Sequence, residues 1–319
     1  MQKSILLVFA TMICGAVFAE NVRFNQFGTH IPARPDLEVR WNPPTDSLPS
    51  QIWVYHLLPR KPSAEMISYL KSLCSFTEDD RIDSSANGMM FRTPDNSRHL
   101  WISSAGDVYY ESLIHYGLTN LIEAVPDEGQ ALKRVKQILP KFGISLSDID
   151  RKDDSNEPWF ICFDSERLYF VKPQTITNTE FRTVRFHRAV DGISFIGLGR
   201  GGNCQIDFGD HGKITKIDMS WRNAARVKSY ATLSPAEMIY SLRQGRAVQG
   251  YLSMNSRGID WKSAKSVTVN HVWARYYAGD IDHPSDILEP FAVLDSSVET
   301  GHGPEKVEID CPIIEETAP

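Results

Sequence analysis

Hydrophobic positions along this chain repeat at two periods, and the alternation between them divides it into elements. From Ala64 to Ser75, Met66, Ile67, Leu70, Leu73 and Cys74 fall at helical spacing, with Pro62-Ser63 opening the segment and Ser63 placed as its N-cap. Period two follows in Gly88–Arg92 (GMMFR), His99–Ser103 (HLWIS) and Asp107–Leu113 (DVYYESL), the last two joined by the hairpin signal Ser104-Ala105-Gly106. The order then recurs. Asp127–Phe142 carries a stripe of Ala131, Leu132, Val135, Ile138 and Leu139, with acids at its start and Pro140 and Gly143 ending it. Strand patterns follow at Trp159–Phe163, Leu168–Val171, Thr179–Arg188, Ile193–Ile196, Asn203–Phe208 and Lys213–Trp221. Ser234-Pro235 opens a third helix over Ala236–Arg243, and the tail holds strands at Ser266–Tyr277, Ile287–Leu294 and Lys306–Ile309. Consecutive hairpins leave no room for parallel crossovers. The pattern therefore predicts an α+β fold of two helix-plus-antiparallel-meander units, over 63–125 and 126–319.

The stretch before them differs. Residues 20–62 hold Pro32, Pro35, Pro43, Pro44, Pro49, Pro59 and Pro62, a spacing that excludes helix. It predicts an extended arm with a strand near Ile52–Leu58, packed through Trp41, Trp53 and Tyr55. Ahead of it, Met1-Gln2-Lys3 is a short basic region and Ile5–Phe18 an apolar run of 14 residues ending in Val17-Phe18-Ala19. That is the pattern of a signal peptide cleaved after Ala19, short for a bilayer span and followed at once by polar residues. The expected location is secreted or periplasmic. Cleavage removes Lys3 and leaves 33 basic against 40 acidic residues, a net −7. Mild acidity argues against nucleic acid and anionic membrane surfaces as partners.

The run GLGRGGNCQIDFGDHG raises a nucleotide question, because Gly197, Gly199 and Gly202 have the spacing of a phosphate loop and Asp207-Phe208-Gly209 spells D-F-G. A dinucleotide loop must open a helix. Here Cys204, Ile206 and Phe208 alternate with polar residues, as do Ile217, Met219 and Trp221, so strands follow on both sides of a turn at Gly209–Gly212. The kinase order also fails, since His187-Arg188-Ala189 lacks the acid and precedes the glycines. Neither nucleotide motif stands, and no cofactor is implied.

With its neighbours, the stretch reads strand, Asp191-Gly192-Ile193, strand, Asp210-His211-Gly212-Lys213-Ile214, strand. This resembles PepSY-type domains and the related propeptide and YycI-like regulator domains, and the tail Val272–Tyr277 with Leu288-Glu289-Pro290-Phe291-Ala292 is similar to the end of YycI-like proteins. The resemblance covers roughly 127–294 and implies a cystatin-like packing of helix on antiparallel sheet, and binding in place of chemistry. The chain departs from it in having no H-E-x-x-H peptidase, and in its long arm and its cysteines.

Four cysteines remain after cleavage, Cys74, Cys162, Cys204 and Cys311. An even count in an exported chain points to disulfides with connectivity open, and buried free thiols are the alternative. The nine histidines are scattered without metal-ligand spacing. No G-x-S-x-G occurs, and Asp79-Asp80 and Asp153-Asp154 read as solvated loops. Asp280, Asp282 and Asp286 lack the glycine and terminal Glu of a calcium loop. Trp and Arg are enriched in binding hot spots, so Trp221, Arg222, Arg226 and Trp261 are the candidate binding residues. Core tryptophans with ordinary solvated bases are the plainer reading of the same residues. The function these features suggest is a secreted, non-catalytic binding or regulatory protein for a protein or peptide partner. An extracellular hydrolase of cell-wall polymers and a structural surface or matrix component are the alternatives.

Overall fold

A computed structural model describes residues 29–113, 124–151, 157–171, 174–196, 202–250, 259–279 and 284–315. The expected signal peptide over 1–19, the glycine run 197–201, Asp153-Asp154 and 280–283 lie outside them. In chain order the elements are β1 (Thr29–His30), β2 (Glu38–Trp41), β3 (Gln51–Leu58), α1 (Ala64–Leu73), β4 (Arg81–Ser85), β5 (Gly88–Arg92), β6 (Arg98–Ser103) and β7 (Val108–Ser112). After these come α2 (Glu128–Ile138), β8 (Ile161–Val171), β9 (Gln174–His187), β10 (Ala189–Val190), β11 (Ile193–Ile196), β12 (Asn203–Phe208), β13 (Ile214–Ser220) and β14 (Asn223–Ala231). The last are α3 (Pro235–Arg243), β15 (Val248–Gln249), β16 (Ser266–Gly279), β17 (Pro284–Thr300) and β18 (Gly303–Pro312). The chain divides into two compact units.

The larger unit holds Trp53–Ser229 and Ala274–Pro290. Its frame is an antiparallel eight-stranded sheet in the order β4-β5-β6-β7-β13-β12-β9-β8. Phe91, Leu100, Tyr110, Ile217, Ile206 and Val184 sit opposite one another in register across six strands, and all are buried. Helices α1 and α2 lay Met66 and Leu70, and Ala131, Val135 and Ile138, into the same core. Both helices start where the sequence supplies an acceptor. Ser63 accepts from the Met66 amide, and Asp127 forms a reciprocal capping box with Gln130. A short 3-10 turn, Leu139–Phe142, extends α2 and stops at Gly143, whose φ is +60°.

The predicted α+β fold of two helix-plus-meander units is overturned. Strands take 51% of the structure and helices 17%, in two large sheets with only three α-helices among the described residues. The two meanders are not separate, because β7 pairs with β13 from Lys216↔Glu111 to Met219↔Val108 and one core serves both helices. A four-stranded meander leaves a row of unpaired backbone groups at its edge, and here each meander satisfies the other's. Period-two alternation identifies a strand but carries no record of which edge it will meet.

The smaller unit holds residues 29–52, 230–273 and 291–315 of those described. Its strands run in the order β1-β15-β18-β17, with β2 parallel to β16 from Ser266↔Glu38 to Val269↔Trp41. The β17–β18 hairpin pairs ten residues, Phe291↔Pro312 to Thr300↔Gly303. Ser234 and Glu237 form a second capping box at the start of α3, with Pro235 in its first turn. The Pro-rich segment contributes β1, β2 and β3.

Candidate functional site

Alternation along the eight-stranded sheet leaves two ladders on the face away from α1 and α2. One reads Arg92, His99, Glu111, Lys216, Asp207, Thr183, and the other Met90, Trp101, Tyr109, Asp218, Gln205, Arg185. Most of these side chains are partly or fully exposed, and Asp207 and Thr183 are buried. Directly opposed residues have Cβ atoms about 5 Å apart, so each ladder is a row of touching groups.

The centre of this face satisfies itself. The buried Asp207 carboxylate accepts from Thr183 Oγ1 at 2.8 Å and Gln205 Nε2 at 3.0 Å. Burial pushes the Asp207 carboxyl above its ordinary range, and those two hydrogen bonds partly offset it. Arg185 donates to Gln205 Oε1 at 2.7 Å, and Tyr109 Oη to Glu111 at 3.0 Å. Lys216 Nζ stands 6.0 Å from the centre of the Tyr109 ring.

The β5–β6 end differs. Arg92 Nε and His99 Nε2 are buried without a hydrogen-bond partner, and the two residues oppose each other in register. A buried polar atom without a hydrogen-bond partner costs about 1–3 kcal/mol. One pleat away lie Met90, Trp101 and Tyr109, also mutually opposed. This end of the sheet therefore pairs an apolar row with uncommitted donors.

The residues singled out from the sequence are placed elsewhere. Trp221 is 3% exposed and packs against Phe186, ring centres 5.8 Å apart, with Arg188 over its ring at 5.5 Å. Arg222, 4% exposed, reaches Asp107 at 3.1 Å and Asp286 at 3.0 Å. Arg226 pairs with Asp191 at 2.9 Å and covers the Trp53 ring at 5.1 Å, while Tyr55 Oη also donates to Asp191. Burial, then the Asp191 bond, pushes the Tyr55 phenol up to about 12. Trp261 is 4% exposed, its indole N–H donating to Gln249 at 3.1 Å. Trp221, Arg222 and Trp261 are interior anchors, closed to an incoming partner. Cys74, Cys162, Cys204 and Cys311 are all free thiols. His211 is exposed at its turn with φ +50° and lies 3.9 Å from Asp210. Among the described residues no three His, Cys, Asp or Glu side chains converge on a metal position. Sequence reasoning missed the Arg92–His99 pair, and only its strand register marks it. Each residue alone looks like a solvated polar position.

No protein-family model matches this sequence, and no curated protein matches it. Among solved structures it is similar to an uncharacterised protein from Eubacterium rectale ATCC 33656, at 10% identity and a TM-score of 0.46, over 88% of this chain and 89% of that one.

Proposed function

We propose that the protein is an exported, non-enzymatic binding protein that docks a protein or peptide on the β5–β6–β7 end of its open sheet face. The observation that carries this reading is the orphaned Arg92–His99 pair beside the Met90–Trp101–Tyr109 row. Three strands at about 4.8 Å spacing form a nearly flat surface, which suits a macromolecule better than a small ligand. The partner presents a carboxylate to Arg92 and His99 and an apolar or aromatic side chain to Trp101. Such a contact pairs the half-buried Arg92 guanidinium with an opposite charge.

The test is a peptide-display selection on the mature protein, followed by fluorescence anisotropy with the enriched peptides. Acidic peptides containing an aromatic residue should be selected, and Trp101→Ala and Arg92→Ala should each weaken binding by about tenfold or more. Added salt should weaken binding to the wild type and less to Arg92→Ala. Enrichment of basic peptides, or unchanged affinity in both variants, sinks the assignment.

A further inference from the structure

A second unpartnered cation lies in the larger unit, on the side that carries the helices. Arg60 precedes α1, and its backbone N–H donates to the Ala105 carbonyl at 2.8 Å. Its guanidinium rests against Gly143, at φ +60°, where any side chain would land on it. Its own carbonyl packs on Gly106, at φ +92°, where a Cβ would again collide. Two glycines thus hold one arginine in place.

Arg60, Lys61 and Lys141 line a groove of about 300 Å³ with Ser63, Glu65 and Gly143. Among the described residues none of the three bases makes a side-chain ion pair or hydrogen bond. Three cations against one acid are notable in a chain of net charge −6. Burial holds the Arg60 guanidinium below its ordinary pKa. Arg188 is also lowered by its own burial, which the Asp148 carboxylate opposes and the Arg60 charge adds to. A desolvated cation without an ion-pair partner is costly until an anion joins it. Ser63 on the rim caps α1, so the positive end of that ten-residue helix adds to the same potential.

We propose that this groove binds a phosphate or sulfate group, free or as a monoester. The Arg60 fork takes two of its oxygens, and Lys61 and Lys141 supply point charges. A water molecule occupies about 30 Å³ in the liquid, so the groove has room for the anion and part of whatever carries it.

Isothermal titration of the mature protein, at fixed ionic strength, uses inorganic phosphate, inorganic sulfate, glycerol 3-phosphate and acetate as probes. Phosphate or sulfate should bind saturably. Arg60→Gln should weaken that binding by about tenfold or more, the weight of hydrogen bonds to a charged group, and Arg60→Lys should restore part of it. If circular dichroism shows Arg60→Gln misfolded, the exposed Lys141→Ala carries the test and should weaken binding several-fold. Tighter binding of glycerol 3-phosphate than of phosphate assigns an esterified ligand, and equal binding a free one. No saturable binding of any phosphate or sulfate probe, acetate binding as tightly, or variants indistinguishable from wild type would overturn the proposal. Trp101→Ala should leave phosphate binding unchanged, which keeps this site distinguishable from the sheet-face reading.

Discussion

Removing the Arg222 charge tests how the interior of the larger unit is held. The guanidinium is 4% exposed and divides its donors between Asp107, whose side chain is 27% exposed, and Asp286, 55% exposed. Asp107 also accepts from Ser220 Oγ at 2.7 Å and Ser103 Oγ at 3.1 Å. Arg188 donates to the Arg222 carbonyl, so four segments of chain meet at this residue. In Arg222→Met the aliphatic stem stays and the charge goes. Breaking a fully buried pair costs about 3–5 kcal/mol. Both carboxylates here keep some water, and the cost should fall to about 2–3 kcal/mol. The division between the partners is the sharper test. Coupling to the more enclosed Asp107 should be about 1.5–3 kcal/mol, the range for hydrogen bonds to charged groups. Coupling to Asp286 should stay under about 1 kcal/mol, as for exposed ion pairs. Two double-mutant cycles, Arg222→Met with Asp107→Asn and with Asp286→Asn, measure both. Urea unfolding gives the global value, and amide exchange in β12 and β13 gives the local one, which guards against the two units melting apart. Equal couplings, or a larger one to Asp286, would refute the link between enclosure and strength on which the estimate rests.

Two further outcomes follow from burial. In urea Cys74, Cys162, Cys204 and Cys311 should all titrate with a thiol reagent, while in the native protein Cys74, Cys204 and Cys311 stay silent and Cys162 reacts slowly. Burial raises every one of these thiols, Cys162 to about 11, so the Cys162 rate should climb about tenfold per pH unit below that value. Finding fewer than four thiols in urea would show a disulfide. His187 is depressed by burial, partly countered by its Nδ1 contact with Asn203 at 2.9 Å. Its folded pKa lies below its unfolded one, so the unfolded chain takes up the proton first on acidification. Stability should therefore fall as pH drops through the ordinary histidine range, about 6.5. His187→Gln should flatten that slope in urea midpoints measured between about pH 7 and 5, and an unchanged slope would assign it to other groups.

Local chemistry was legible in the sequence wherever neighbours in the chain decide it. Ser63 and Ser234 cap α1 and α3 because each side chain reaches an amide three residues on. Hairpins such as β6–β7 follow for the same reason, since Ser104, Ala105 and Gly106 turn the chain locally. What long-range pairing decides was not legible. Nothing in VYYES or ITKIDMS announces that Val108 faces Met219, yet that register fuses two expected meanders into one sheet. The candidate residues followed the same division. Tryptophan and arginine are enriched in hot spots, and a paired arginine or a packed tryptophan can equally anchor an interior; the distinction depends on partners such as Asp107 and Asp286, 115 and 64 residues from Arg222. With those partners found, Trp221 and Arg222 hold the core. Among the described residues, the uncommitted groups belong to Arg92, His99 and Arg60, whose neighbours in sequence gave no sign of it. A cation is available to a ligand only when the fold has left it without an acceptor, and that property exists in three dimensions alone.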